Sequence, residues 1–248
     1  MRGRTRHWRG AAILAALAVA ACDDSPTVTH YVLALSWQPG FCRFNVDKPE
    51  CRDLDSADFA ATNLTVHGLW PNDGPSSGPS YCNVDAATKA LDESKSWCEL
   101  PRPKMTAETR TALAPAMPGT ASCLERHEWI KHGTCSGLEA EDYFADTLRL
   151  AAAVQATGFG EAIAANIGQN VTPRQLSNAF EAVFGAGSSK ALTLVCTERN
   201  GSHYLAEIRI ALETPSVTGA LERDHLYLAG EPPAGSCPDM MRIDSAST

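Results

Sequence analysis

The 248-residue sequence predicts an α+β domain: a central antiparallel sheet flanked by helices and stapled by disulfides. Three observations predict it. Stretches with the alternation of strands and stretches with the period of helices fall in separate runs. Two β-favouring runs, residues 191–198 and 203–211, flank Asn200-Gly201, a residue pair suited to a tight hairpin turn. Of nine cysteines, Cys22 lies beside a targeting segment, and the remaining eight form an even set suited to four bridges in an exported chain.

The elements follow in order. Arg2, Arg4, Arg6 and Arg9 form a basic head, residues 11–21 are an uninterrupted apolar run, and Cys22 follows at once. The run is too short to span a bilayer as a mature helix. Val19-Ala20-Ala21-Cys22 resembles a bacterial lipobox, in which the cysteine is lipidated and becomes the mature N-terminus. The rival is ordinary cleavage after Ala18-Val19-Ala20. Lipidation is favoured because it accounts for the odd cysteine. Residues 1–21 are thus expected to be removed and 22–29 to form a short tether. One domain is expected over 30–240, since no charged or Ser-rich linker divides the chain, with 241–248 as a tail.

Residues 30–37 read as a buried strand. Thr62, Leu64 and Val66 alternate with Asn63 and Thr65, which predicts a strand ending at His67, where Gly68 and Pro71 are expected to force a turn. Residues 74–80 are loop. Helical patterns occupy roughly 85–95, 106–114, 122–132 and 139–156. Thr172 and Pro173 supply an N-cap and first position for a helix ending before Gly185.

Chemistry is concentrated in two segments, 64–72 and 124–135, which hold three of the seven histidines. On a helical wheel with His127 at zero, Lys131 falls near ~40°, Glu128 near ~100° and His132 near ~140°. All four ionisable groups share one face, while Trp129 and Ile130 straddle the opposite pole. Gly133 is expected to take the left-handed conformation common just past a helix end. With His67 from the strand, the result is a two-sided site carrying an acid-base inventory suited to a phosphodiester.

Each residue alone has a plainer reading. A single histidine is more often a satisfied structural residue than a catalyst, and a tryptophan such as Trp70 or Trp129 is usually core. Glu128 with His132 reads as an ordinary helix pair. Two histidines, a glutamate and a lysine on one face, however, crowd positive charge for no structural gain. Zinc hydrolases use His-Glu-x-x-His, whereas His127 and His132 are five apart with Lys131 between them, so no metal and no other cofactor is expected.

The two segments resemble the paired active-site motifs of the ribonuclease T2 family, at His67-Gly68-Leu69-Trp70-Pro71, His127-Glu128-Trp129 and Lys131-His132-Gly133-Thr134-Cys135. The likeness extends to Ser36-Trp37-Gln38-Pro39-Gly40-Phe41-Cys42 and to the region of Cys196 and Cys237, so it spans about residues 30–240. It implies the family's α+β fold and RNA-cleaving activity, with His67 as general acid and His132 as general base. It also implies that His127 holds phosphate while Glu128 and Lys131 stabilise the transition state. Substrate contacts by Trp70, Asn72 and Tyr81 are expected on the same basis, although the loop after Pro71 departs from the family pattern. The resemblance favours Cys82 with Cys135 and Cys196 with Cys237; Cys42 with Cys51 and Cys98 with Cys123 then follow by proximity and elimination. Ala211 stands where many eukaryotic members carry a further cysteine.

The implied reaction is transesterification of single-stranded RNA to a 2′,3′-cyclic phosphate and then a 3′-phosphate. DNA, lacking the 2′-hydroxyl, is expected to be inert. Without the four signal arginines the formal charge falls from −8 to −12, seventeen basic against twenty-nine acidic residues, which argues against broad electrostatic capture of a polyanion. RNA binding then depends on cations local to the site. A monomer is expected, exported to the periplasm or envelope, touching membrane only through a lipid on Cys22. The alternative is a catalytically silent envelope-binding lipoprotein that keeps the fold. Retention of His67, His127, Glu128, Lys131 and His132 favours the enzyme, because a binding module has no need of an acid-base pair.

Overall fold

The fold is described from a computed structural model, over residues 27–74, 78–230 and 235–246. The expected signal segment and Cys22 lie outside the described residues.

Strand β1 (His30–Ser36) is a run of apolar residues buried on both faces. It pairs antiparallel with β2 (Thr65–Asn72) on one side and with β5 (Ser202–Leu212) on the other. Strand β4 (Leu192–Arg199) forms a hairpin with β5, turning at Asn200 (φ 55°) and Gly201 (φ 75°), the double left-handed geometry that Asn-Gly favours. Two short strands, β3 (Asn170–Val171) and β6 (Met241–Arg242), complete the sheet. Because β6 runs parallel to β5, the sheet is mixed and not wholly antiparallel.

The helices are α1 (Gln38–Cys42), α2 (Pro49–Arg52), α3 (Phe59–Thr62), α4 (Ala86–Glu93), α5 (Ala107–Ala116), α6 (Leu124–Lys131), α7 (Ala140–Gln155), α8 (Gly158–Ala165) and α9 (Pro173–Phe184). Thr172 caps α9 in a reciprocal box with Gln175, and Pro173 occupies the first turn. Leu176, Phe180 and Phe184 recur at four-residue intervals and bury one face of α9, where Phe180 meets Phe159 of α8 edge-on at 5.2 Å. Helix α7 lays Tyr143, Phe144, Leu150 and Val154 against the sheet. The Tyr143 hydroxyl donates to the Leu69 carbonyl at 2.8 Å, fixing α7 to the strand that carries His67.

Four corrections to the sequence reading bear on the site. First, no turn follows His67: Thr62 ends α3, and β2 continues through Gly68 and Pro71 to Asn72. Proline is tolerated because β2 is an edge strand, where its missing N–H breaks no ladder bond. Second, the register shifts between Ala34 and Leu35, which face Gly68 and Val66, so His67 is the extra residue of a β-bulge. Third, the 241–248 tail begins inside the fold. Met241 and Ile243 are buried, Ile243 exchanges backbone hydrogen bonds with Gly168 and Gln169, and the Asp244 carbonyl accepts from the Trp37 indole at 2.8 Å. Fourth, Gly133 is not left-handed. It opens a 3₁₀ turn (Gly133–Cys135), and a Cβ there would lie 2.3 Å from the Trp129 ring, so closeness to that ring is what requires glycine. Helices α1, α2, α3 and α8 went unforeseen, the first three being too short to show a period.

The disulfides are Cys42–Cys51, Cys82–Cys135, Cys98–Cys123 and Cys196–Cys237. Two of them bracket α6: Cys123 immediately precedes it, and Cys135 closes the turn after it. Replacing both Cys82 and Cys135 by serine opens a bridge spanning 53 residues and should cost ~2–5 kcal/mol. A melting temperature about 5 °C or more lower is expected by calorimetry; an unchanged melt would show that α6 is held without the bridge.

Candidate active site

The bulge decides where His67 points. Strict alternation would send His67 and Trp70 to opposite faces of β2, but the extra residue brings both to the face opposite Leu69, which is fully buried in the core. The two rings lie edge-to-face at 5.2 Å. From the other side, α6 presents His127 and Glu128, and its last turn presents Lys131. His132 caps the helix and is turned back toward the sheet, its ring 5.3 Å from that of Trp70.

Glu128 is the centre of this cluster. Its side chain is 1% exposed. One carboxylate oxygen accepts from the Trp70 indole N–H at 2.8 Å. The other has no hydrogen-bond partner and lies 3.5 Å from His67 Nε2 and 3.8 Å from His127 Nε2. Gly68 makes the approach possible, because a Cβ there would sit 1.9 Å from the Glu128 carboxylate and 2.6 Å from the Trp70 nitrogen. Burial pushes the Glu128 carboxyl up, against the opposing pull of His67, His127, the Trp70 hydrogen bond and Lys131.

The three imidazoles have different surroundings. His67 Nδ1 is bonded to Glu207 of β5. Burial alone would lower the His67 pKa, but the Glu207 hydrogen bond and the charges of Glu128 and Glu207 outweigh it, and the net shift is upward. His127 Nδ1 is bonded at 2.7 Å to Asp92, a buried carboxylate on α4, and its ring stacks on Trp97 at 4.4 Å. Among the described residues no carboxylate is bonded to His132. Burial, then the charges of Lys131, His127 and His67, push its pKa down to about 2.

All five expected catalytic residues therefore meet in one cleft. The three expected substrate contacts are placed differently. The Trp70 indole nitrogen is committed to Glu128, and the Arg209 guanidinium lies 5.1 Å from its ring centroid. Tyr81 donates to Asp92 at 2.8 Å under the ammonium of Lys89 and so belongs to the support of His127. Asn72 is buried at the end of β2, its side-chain oxygen accepting from the Gly74 backbone at 3.1 Å. Beside His67 lies a cavity of about 330 Å³ walled by Gln38, Phe41, Lys48, Trp97 and Leu124.

The sequence reading missed Glu207, Arg209, Asp92 and Trp97. Glu207 and Arg209 alternate with the core residues Ile208 and Ile210, a pattern that reads as a solvated strand face. Nothing local distinguishes Asp92 from Glu93 beside it.

His127, Glu128 and His132 offer donor atoms all within 4.8 Å of one another. Their five-residue spacing does not hold the imidazoles apart, because His132 has left the helix. The cluster is thus dense enough to hold a cation, although His127 Nδ1, one Glu128 oxygen and the nearby Lys131 charge are set for other partners.

Comparison with known proteins places the whole. The Ribonuclease T2 family description matches residues 28–222. The chain belongs to the ribonuclease T2 family. It is similar to Ribonuclease I of Escherichia coli (strain K12), 33% identical over 96% of this chain and 98% of that protein. Among solved structures it resembles the self-incompatibility associated SF11-RNase of Nicotiana alata, with TM-score 0.53 and 20% identity over 84% of this chain and 100% of that one. It also resembles ribonuclease MC1 from bitter gourd seeds, with TM-score 0.52 and 18% identity over 86% and 98%. At these identities the structural likenesses speak for the T2 fold alone.

Within this T2 ribonuclease site, Gly68→Ala is a selective probe. The added methyl should force Glu128 away from Trp70 and lower turnover on RNA about tenfold or more. The melting temperature should fall as well, because the clash meets a buried carboxylate and its hydrogen-bond donor, so turnover is read per folded molecule. Turnover within threefold of wild type would mean that the Trp70–Glu128 contact is dispensable.

Proposed function

We propose that this chain is a metal-independent endoribonuclease that cleaves single-stranded RNA by transesterification, through a 2′,3′-cyclic phosphate to 3′-phosphate ends. Membership of the ribonuclease T2 family supports endoribonuclease activity. The observation that carries the finer reading is the opposite displacement of two imidazoles facing one cleft: His67 upward, His132 downward. Titratable groups pushed apart in this way are set for acid and base roles.

His132, neutral and unclaimed by any carboxylate, accepts the proton of the ribose 2′-hydroxyl as that oxygen attacks phosphorus. His67, kept protonated by Glu207 and Glu128, delivers its Nε2 proton to the departing 5′-oxygen. His127 holds the phosphate, and Lys131 supplies positive charge to the nonbridging oxygens, where charge grows in the pentacoordinate transition state. Glu128, its second oxygen 3.5 Å from His67 Nε2 and 3.8 Å from His127 Nε2, contributes to transition-state stabilisation by holding both rings at the cleft. In the second step His67 takes a proton from water and His132 returns one to the 2′-oxygen. The cavity beside His67, with Phe41, Trp97 and Leu124 as apolar walls and Gln38 and Lys48 as polar groups, suits a base, while Trp70, Asn72 and Tyr81 serve the geometry of the cleft.

Replacing His132 or His67 by alanine should lower turnover on RNA by roughly a hundredfold or more in a folded protein. Products of the wild type should include a cyclic phosphate by mass spectrometry, and cleavage should survive EDTA. Loss of activity to chelator with recovery on adding zinc would transfer the site to a bound cation at His127, Glu128 and His132. The pH profile has a definite sign. Activity needs His67 charged and His132 neutral, so kcat/KM should hold into acid well below the ordinary imidazole range. It should fall only as pH rises through the raised His67 value. A profile centred above neutrality would contradict the assignment.

The reading extends to location. The basic head, short apolar run and Cys22 support export across a bacterial inner membrane and lipid attachment at Cys22. The nuclease would then stand outside the cytosol, away from the cell's transcripts, as a monomer on a short tether. Palmitate labelling should mark the wild type and not Cys22→Ala; an unlabelled mature protein beginning at Ala21 would show ordinary cleavage instead.

A further inference from the structure

Glu207 lies in the middle of β5, two strands away from His67, with β1 between them. Residue Ser36 of β1 stands opposite Glu207 in the ladder, and its small side chain lines the same cavity, leaving room for the carboxylate to reach across. Glu207 is 7% exposed, and both its oxygens are taken: one by His67 Nδ1, the other by Arg209 Nε at 2.5 Å. Arg209 in turn covers Trp70, the ring against which His67 packs. A buried carboxylate is costly unless paired, and an ordinary sheet residue here would need neither charge.

We propose that Glu207, held by Arg209, is a positioning residue for the general acid: it fixes the proton-bearing tautomer of His67 so that Nε2 carries the transferable proton toward the cleft. The inference rests on the reading of His67 as the acid. With Nδ1–H directed at Glu207, the second proton of the imidazolium is on Nε2, the nitrogen facing Glu128 and the substrate. That proton passes to the 5′-oxygen as the P–O bond breaks. The imidazole left behind is neutral and still bonded through Nδ1–H to Glu207, ready to accept a proton at Nε2 from water. A carboxylate behind an imidazole both orients the ring and stabilises its cation. The charged groups around His67 are Glu207 and Arg209 from β5 and Glu128 from α6, with His132 beyond Trp70 and Lys48 and Glu50 lining the adjoining cavity. Arg209 opposes the cation, so the net upward displacement of His67 depends on the two carboxylates. Asp92 makes the equivalent bond to His127, whereas His132, the base, has no such partner.

The test compares two substrates. One is a dinucleoside phosphate, whose 5′-alkoxide must be protonated to leave. The other is a nucleoside 3′-aryl phosphate, whose phenolate leaves unaided. Glu207→Gln preserves shape and a hydrogen-bond acceptor but removes the charge. It should lower kcat on the dinucleotide about tenfold to a hundredfold with KM within about threefold, and change aryl ester cleavage far less. The alkaline limb of kcat/KM should move to lower pH. Acetate or formate should restore part of the activity of Glu207→Ala by entering the vacated space beside the open cavity. In the unaltered protein, nitrogen-15 spectra should show His67 protonated at Nδ1 when neutral, which tests the tautomer even where a variant fails to fold. Glu207→Gln with wild-type turnover and pH profile, equal losses on both substrates, or a neutral His67 protonated at Nε2 would each overturn the proposal. His67→Ala separates this from the underlying reading. If that variant spares the aryl ester while Glu207→Gln shows no preference, only the positioning role fails. If His67→Ala itself shows no dependence on the leaving group, the acid assignment fails.

Discussion

The hydrogen bond from the Trp70 indole to the buried Glu128 carboxylate joins the two halves of the site, and the rest of the arrangement depends on it. Trp70 belongs to an edge strand and Glu128 to a helix whose sequence lies far downstream. They meet at 2.8 Å only because Gly68 leaves space between them. Two imidazoles, one from each side, then converge on the second carboxylate oxygen. Removing a carboxylate from water is expensive, and here its partners are groups that the chemistry itself requires. The energetic cost of burying Glu128 is therefore borne by the same interactions that set the positions of His67 and His127. Tyr143 from below and the two disulfides flanking α6 keep strand and helix from separating.

Sequence patterns reveal this fold where the physics is local. The Asn200-Gly201 turn, the Thr172-Pro173 helix start and the apolar run of β1 each carry their own signal within a few residues. The crowding of His127, Glu128, Lys131 and His132 into six positions was legible because it has no structural purpose, and His67 because it stands in a motif of its own. What stayed hidden depends on contacts distant in sequence. Pro71 reads as a breaker unless the strand is known to lie at an edge, and the bulge at His67 is a matter of its register with β1. Glu207 and Asp92 look like surface acids because strand and helix periodicity cannot say whether a polar face meets water or another imidazole. Met241 and Ile243 close the sheet through a strand of two residues, too short for any period to show.

Three histidines of one chemical type thus acquire three characters from their neighbours. His67 and His127 each give Nδ1 to a buried carboxylate and turn Nε2 toward Glu128. His132 has a cationic neighbour in Lys131 and, among the described residues, no bond to a carboxylate, and its burial favours the neutral ring. The difference originates in backbone placement: His127 lies within α6 opposite α4, which brings Asp92, while His132 is one residue past the end of the helix and faces the open cleft. Lengthening α6 by a turn would carry His132 around the helix and away from Trp70.

This local character also reconciles an acidic protein with a polyanionic substrate. Outside the four arginines of the basic head the chain carries twelve more acidic than basic residues, so at distances beyond about 10 Å in ordinary salt the protein offers RNA no general attraction. Within the cleft the balance differs. Lys131, Arg209 and Lys48 stand around a few carboxylates, and Glu207 is already paired with Arg209 and His67. Attraction of the kind an endoribonuclease needs then begins only when a phosphate is nearly in place. The acidic surface and the cations gathered at the cleft thus confine attraction to the last approach of a phosphate, where Lys131 and Arg209 are within reach of the site.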